Sequence, residues 1–219
     1  MALQTVNARV LLVDDHEIYR AGLRGLLEEA GVDIVGEAVN GEGALDLVEA
    51  KHPNVVIMDL NMPGIGGIEA TRQITTLAPL ARVIMLTVSS AAPDITDAVL
   101  AGACGYLLKS ATTQEIVSGI AAAARGDALL SPSVAAKLLE RVREQPVRAS
   151  VPDITSASLT DRELEVLRLL SSGMDNAEIG RTLFISPSTV KNHISSILLK
   201  LQIENRIQAA VYAVRSGLA

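Results

Sequence analysis

Tryptophan is missing from these 219 residues, and the rings present are one phenylalanine and three tyrosines. A base-stacking platform needs several aromatic side chains, so most folds that grip single-stranded nucleic acid are excluded. Cysteine occurs once, at Cys104, which rules out an intrachain disulfide and a cysteine-rich metal site and fits a reducing compartment. No apolar run approaches the roughly 18 residues that a membrane span needs. The opening residues carry Asn7 and Arg9 and then two acids, Asp14 and Asp15, so they do not read as a signal peptide. The expectation is a cytoplasmic protein with no membrane partner.

What is present is an apolar chain, 49% hydrophobic, with an uneven distribution of charge. Residues 1–127 carry 8 Lys and Arg against 16 Asp and Glu, whereas residues 152–219 carry 7 against 7. An acidic first part beside a neutral last part points to two modules with different tasks. In the first, short β-branched and leucine-rich runs alternate five times with amphipathic helical stretches. That alternation predicts an α/β fold, a parallel sheet covered on both faces by right-handed crossovers. The run Val55 to Met58 reads as a strand buried on both faces, followed by Asp59 and the turn Pro63-Gly64.

The strand ends carry the chemistry. Strand one ends in Asp14 and Asp15, strand three in Asp59, strand four in Thr87 and strand five in Lys109. Parallel strands bring these side chains to one edge of the sheet, where open α/β folds bind ligands. Each close carboxylate pair costs ~4 kcal/mol at an effective dielectric near 20, which a hard divalent cation such as Mg²⁺ relieves. With the Thr87 hydroxyl and the Lys109 ammonium, the cluster has the parts of an acceptor site for phosphoryl transfer to a carboxylate. Taken singly, Asp59 could cap a turn, Thr87 could be an ordinary strand residue and Tyr106 ordinary packing.

The motifs DDH at 14–16, MDLNMPG at 58–64, LTV at 86–88 and GYLLK at 105–109 resemble, in order, the receiver domain of two-component response regulators. The resemblance covers residues 1–127 and implies a (βα)5, flavodoxin-like, doubly wound fold. It implies that Asp59 accepts a phosphoryl group from a sensor histidine kinase. Mg²⁺ would be held by Asp14, Asp15, Asp59 and the main-chain carbonyl of Asn61. Thr87 and Lys109 would contact the phosphoryl oxygens, and Tyr106 matches the aromatic that moves with the switch.

Residues 128–152 read as a linker helix opened by Ser131-Pro132, followed by a polar tether; an extension of the first domain fits residues 128–140 equally well. From 153 to 219 the pattern is all-α. Thr160 with Glu163 and Asp175 with Glu178 form capping boxes, Ser186-Pro187 opens a third helix, and Asn205 caps a fourth. Four short helices with a tight turn before the third describe a helix-turn-helix. The outer face of the third helix has no acid. It offers Ser188, Lys191, Asn192 and Ser195, with Lys191 and Lys200 for phosphates and Asn192 for a base edge. A merely solvated face is the plain alternative.

The run from Leu159 to Leu201 resembles the LuxR-type output domain, and the whole chain resembles a NarL/FixJ-type response regulator. The resemblance implies that Lys191, Asn192 and Ser195 face the major groove of double-stranded DNA and that Thr189 contacts the backbone. It also implies a homodimer, formed on phosphorylation, with Val211 and Tyr212 in its interface. Ala177, Ser195 and Leu199 stand where relatives often carry basic or long polar residues, which predicts few phosphate contacts. Two other functions use the same features. One is a regulator indifferent to phosphorylation, whose first module only docks or dimerises. The other is a Mg²⁺-dependent aspartate-nucleophile phosphatase, disfavoured because Asn61 occupies the place of the second acid. The expected class is a transcription regulator and not an enzyme.

Overall fold

The structure, a computed structural model, describes residues 8–89, 91–127, 129–130, 134, 138, 159–203 and 205–218, with the backbone alone at 129 and 130. The chain forms two compact units, residues 1–135 and 136–219. In the first, the five expected strands are β1 (Arg9–Val13), β2 (Asp33–Ala38), β3 (Val55–Met58), β4 (Arg82–Thr87) and β5 (Gly105–Leu108). The five helices between and after them are α1 (Glu17–Glu29), α2 (Gly41–Lys51), α3 (Gly67–Leu77), α4 (Ala92–Leu100) and α5 (Thr113–Ala124). A sixth strand, β6 (Leu129–Leu130), runs parallel to β5, so the sheet continues past residue 127. Of the stretch read as linker, the other described residues, Val134 and Leu138, are helical and buried, and the rest lies outside the described residues.

All strand pairs are parallel, in the order β2-β1-β3-β4-β5-β6. Every residue of β3 is buried, as a strand sandwiched between two helical layers must be. Alternation along the strands divides the core. Val10, Leu12, Val55, Ile57, Ile84 and Leu86 pack with Leu23 and Leu27 of α1 and with Ile116 and Ile120 of α5. The intervening residues, Leu11, Val13, Val56, Met58, Met85 and Tyr106, are likewise buried, and so are Ala44, Val48, Ala70, Ile74, Ile95 and Val99 of α2, α3 and α4. Each Val, Leu, Ile or Met side chain among them contributes roughly 1.5–3 kcal/mol of burial free energy.

The loop from β3 to α3 is drawn tightly against the end of the sheet. Gly67 donates its amide to the Leu60 carbonyl at 3.0 Å, and a Cβ there would lie 1.9 Å from the Asp59 carbonyl oxygen. Gly64 has φ +74°, and the neighbouring Ile65 amide is held by Glu42 Oε1 at 3.0 Å. Glycine is therefore required twice by the turn that carries Asp59.

The second unit contains α6 (Asp161–Ser171), α7 (Asn176–Leu183), α8 (Pro187–Leu201) and α9 (Arg206–Arg215). Both capping boxes form, and Ser186 and Asn205 cap α8 and α9 as the sequence predicts. The core joins Val166, Leu167, Leu170, Ile179, Val190, Ile194, Ile197, Leu201 and Tyr212. Val166 is fully buried, whereas Leu164 is half-buried. Glu163 is buried too. Its carboxylate accepts from Lys200 Nζ at 2.7 Å, Ser196 Oγ at 2.5 Å and the Thr160 amide at 2.7 Å. Burial works against its ionisation, but these partners, Lys200 foremost, hold the carboxyl down to about 2. No helix among the described residues is long and apolar enough to cross a membrane.

Two predictions follow from this packing. Gly67→Ala destabilises the first unit by roughly 2–3 kcal/mol through overpacking. Gly22→Ala, in the middle of α1 with nothing within 4 Å of the added Cβ, is neutral or stabilising by up to about 1 kcal/mol; urea unfolding of both variants checks the contrast. Because the folded pKa of Glu163 lies below the unfolded one, its contribution is complete above about pH 5 and is lost as the pH falls through about 2. Glu163→Gln therefore costs the second unit roughly 3 kcal/mol at neutral pH and much less near pH 2. Denaturation followed through the resonances of the buried Tyr212 ring reports that difference.

Candidate functional site

Strand order turns between β1 and β3: the chain passes from β1 outward to β2 on one side and from β3 outward through β4 and β5 on the other. A crevice opens beyond the carboxyl ends of the strands at such a point. Val13 pairs with Met58, so the next residues, Asp14 and Asp59, emerge side by side. The ladder fixes both, since the Asp59 amide donates to the Val13 carbonyl at 2.8 Å and the Asp14 amide to the Ala38 carbonyl at 3.1 Å. Both carboxylates are buried, and each accepts one main-chain amide at Oδ1: Leu60 on Asp59 at 2.8 Å, His16 on Asp14 at 2.9 Å.

Lys109 follows β5 and reaches across to both acids. Its Nζ lies 2.7 Å from Asp14 Oδ2 and 2.9 Å from Asp59 Oδ2, and 4.8 Å from the centroid of the Tyr19 ring. Burial disfavours the ammonium, but its hydrogen bonds to the two carboxylates outweigh that and raise its pKa above the ordinary lysine value. Asp15 is more open, with Oδ1 2.8 Å from His16 Nδ1. One ligand atom each from Asp14, Asp15, His16 and Asp59 lie within 4.8 Å of one another. Three carboxylates against one ammonium leave two negative charges, and the oxygen-rich donor set suits a hard divalent cation. Asn61 lies in the exposed turn two residues beyond Asp59.

Thr87 is fully buried at the end of β4, and its carbonyl accepts the Lys109 amide at 2.8 Å. Its hydroxyl is not on the Asp59 carboxylate; it accepts the Ser89 amide at 3.2 Å. Tyr106 is fully buried and donates its hydroxyl to the Ser89 carbonyl at 2.9 Å. Burial, reinforced by the nearby Asp94 charge, pushes the phenol up to about 12. The Ser89 hydroxyl in turn donates to Asp94 and accepts the Ala91 amide. Ser89 thus links Thr87 to Tyr106, a role that sequence reasoning missed although a serine two residues after a strand-end threonine is a turn signal. Arg20 was missed as well. It donates to the Asp14 carbonyl at 2.6 Å and pairs with Glu37 at 3.0 Å, holding the acidic loop from behind.

In the second unit the structure leaves Ser188, Lys191, Asn192 and Ser195 exposed on one face of α8, with Leu199 81% exposed beside them. Thr189 is half-buried, its hydroxyl 2.8 Å from Ser186 Oγ, and Ser195 Oγ donates to the Lys191 carbonyl at 3.0 Å. Lys200, expected on phosphates, has its ammonium on the buried Glu163. Val211 and Tyr212, expected in a dimer interface, are 5% and 6% exposed within the unit, Tyr212 as part of its core.

The family model described as response regulator receiver domain matches residues 10–121, and that of the bacterial regulatory proteins of the luxR family matches residues 157–213. The transcriptional regulatory protein LiaR of Bacillus subtilis is 43% identical over 96% of this chain and 98% of its own length. The response regulator UvrY of Escherichia coli K12 is 39% identical over 95% of this chain and 94% of its own. Among solved structures, the complex of the two-component response regulator RcsB with DNA matches with a TM-score of 0.57 and 28% identity, covering 94% of this chain and 97% of that one. Acid cluster, lysine and helix-turn-helix agree with those matches over nearly the full length: the chain belongs to the NarL/FixJ family of two-component response regulators, with a receiver domain and a LuxR-type DNA-binding domain.

Proposed function

We propose that this protein is a cytoplasmic transcription regulator whose Asp59 accepts a phosphoryl group from a sensor histidine kinase, and that this shifts it to a homodimer on double-stranded DNA. The observation that carries the reading is the Lys109 ammonium within 3 Å of both Asp14 and Asp59. A structural ion pair would need one acid; here one cation serves two, with a third carboxylate beside them. Asp59 has one oxygen on the Leu60 amide and the other on Lys109, which orients the carboxylate at the open edge of the sheet. In the transfer, an Asp59 oxygen attacks phosphorus, the P–N bond to the kinase histidine breaks, and the leaving imidazole takes up a proton. Lys109 then moves its charge from the carboxylate to a phosphoryl oxygen, and the Thr87 hydroxyl would donate to another.

Asp14, Asp15 and Asp59 would hold Mg²⁺, with the Asn61 carbonyl as a further oxygen donor. Bound there, the ion supplies charge neutralisation for the oxygens gathered on phosphorus. The acyl phosphate adds about −2 of charge, which competes with Ser89 for Thr87 and so bears on the Ser89–Tyr106 hydrogen bond. On the DNA side, Lys191, Asn192 and Ser195 would read the major groove, with Ser188 and Thr189 at the backbone. Homodimer contacts would be made by α9, around Val211 and Tyr212.

Incubation of the full chain with a small acyl phosphate donor tests this. Wild type is expected to take up one phosphoryl group per chain in a reaction abolished by chelation of divalent ions. Asp59→Asn should take up none, and Lys109→Ala should react at least about tenfold more slowly. Sedimentation and DNA footprinting before and after treatment should show dimer formation and stronger protection. Identical footprints and target-gene expression for wild type and Asp59→Asn would replace this reading with that of a regulator indifferent to phosphorylation.

A further inference from the structure

Tyr19 stands in the first turn of α1, and its half-buried ring packs against the core cluster that includes Leu23, Leu27 and Ile116. Packing alone asks only for an apolar side chain there. The hydroxyl does not explain the choice of residue either. Among the described residues it makes no hydrogen bond, whereas the Tyr106 hydroxyl is bound to Ser89. What distinguishes Tyr19 is its neighbour: the Lys109 ammonium lies over the ring, 4.8 Å from its centroid.

The Lys109 side chain is 11% exposed, and its partners among the described residues are the Asp14 and Asp59 carboxylates and this ring. The acids and the ring hold the ammonium in different ways. A carboxylate binds it by opposite charge, and gives it up when another cation takes the same oxygens. A ring face attracts a cation through its quadrupole, carries no net charge and offers a metal ion no oxygen. Burial raises the phenol pKa against the pull of Lys109, and the Asp14 and Asp59 charges add to it, so the ring stays neutral in the physiological range. The contact therefore outlasts the moment at which both carboxylates are claimed by other groups. A lysine on its flexible four-carbon stem has many rotamers, and the ring restricts them when the acids no longer do.

We propose that Tyr19 is a positioning residue, whose ring keeps the Lys109 ammonium aligned with the phosphoryl oxygens once Asp14 and Asp59 have released it. The proposal rests on the reading of Asp59 as the phosphoryl acceptor and of Lys109 as partner to a phosphoryl oxygen. The attraction between ring and ammonium strengthens as the ammonium loses its two counter-charges, so it favours the transfer state over the resting one.

The test uses the full chain with a small acyl phosphate donor and saturating Mg²⁺. Tyr19→Phe keeps the ring and is expected to react within about twofold of the wild-type rate, whereas Tyr19→Leu should be roughly fivefold slower. Mono-, di- and trifluorophenylalanine at position 19 withdraw charge from an otherwise similar ring, and the rate should fall stepwise with each fluorine. In a Lys109→Ala background none of these changes should have a further effect, because the ring acts through the lysine. In the metal-free chain, the Lys109 ε-methylene protons should resonate upfield in wild type and Tyr19→Phe, and Tyr19→Leu should lose that ring-current shift. A rate that ignores fluorination, or a Tyr19→Leu rate equal to wild type, reduces the ring to packing and overturns the proposal. So does an equal slowing of Lys109→Ala by Tyr19→Leu, or the lack of a ring-current shift in wild type. A Tyr19→Phe rate as low as that of Tyr19→Leu makes the hydroxyl the acting group and sinks the idea as well. If wild type takes up no phosphoryl group and Asp59→Asn matches it, the reading of Asp59 falls and the proposal with it.

Discussion

The Lys109 ammonium is the keystone of the first unit's charged end, because it lies between two carboxylates that the sheet forces together. Val13 and Met58 are paired in register, so Asp14 and Asp59 have no freedom to separate. Two such charges about 4 Å apart repel by ~4 kcal/mol even at an effective dielectric of 20, and both are buried. The fold meets that cost with Lys109 reaching across from the end of β5, with the amides of His16 and Leu60, and with Arg20 behind the Asp14 carbonyl. A pocket so arranged is stable with its lysine in place yet still carries surplus negative charge.

From this pocket the connection to the far face of β5 is short and passes through one residue. Lys109 and Thr87 are joined through the main chain, Thr87 and Ser89 through a hydroxyl and an amide, Ser89 and Tyr106 through a carbonyl and a phenol. The phenol is fully buried and held neutral far above physiological pH, so it needs its acceptor. Any displacement of Ser89 therefore either carries the ring along or leaves a buried hydroxyl without a partner. Asp94 and the Ala91 amide, both on the Ser89 hydroxyl, fix where Ser89 rests.

Much of this was legible in the residues. Five apolar runs alternating with helical periodicity are enough to imply a parallel sheet, and in a parallel sheet the strand-end residues must share an edge. That is why Asp14, Asp15, Asp59 and Lys109 could be grouped before any coordinates. Position along a strand is a backbone property, but the partner of a long side chain is not. Lys200 looked like a phosphate ligand because α8 carries no acid, yet its partner, Glu163, comes from α6 and is 37 residues away in sequence. Val211 and Tyr212 were singled out by the family resemblance alone, and which side of a short terminal helix the core takes is decided only by packing. Leu129–Leu130 were too short a run to announce a sixth strand.

Glu163 also explains why an acid belongs in a DNA-binding unit. Its one carboxylate closes the capping box of α6 through Thr160 and ties that helix to Ser196 and Lys200 on the inner side of α8. An unpaired buried charge would be costly, so the three partners are held together as a set. The angle of α8 on α6 is thereby fixed by a polar clamp at its C-terminal end and by Val190 and Ile194 in the core. Directional bonds resist sliding along the helix axis better than apolar contacts do. The residues of α8 that face outward can accordingly be few and only weakly basic, because their placement does not depend on the charge they carry.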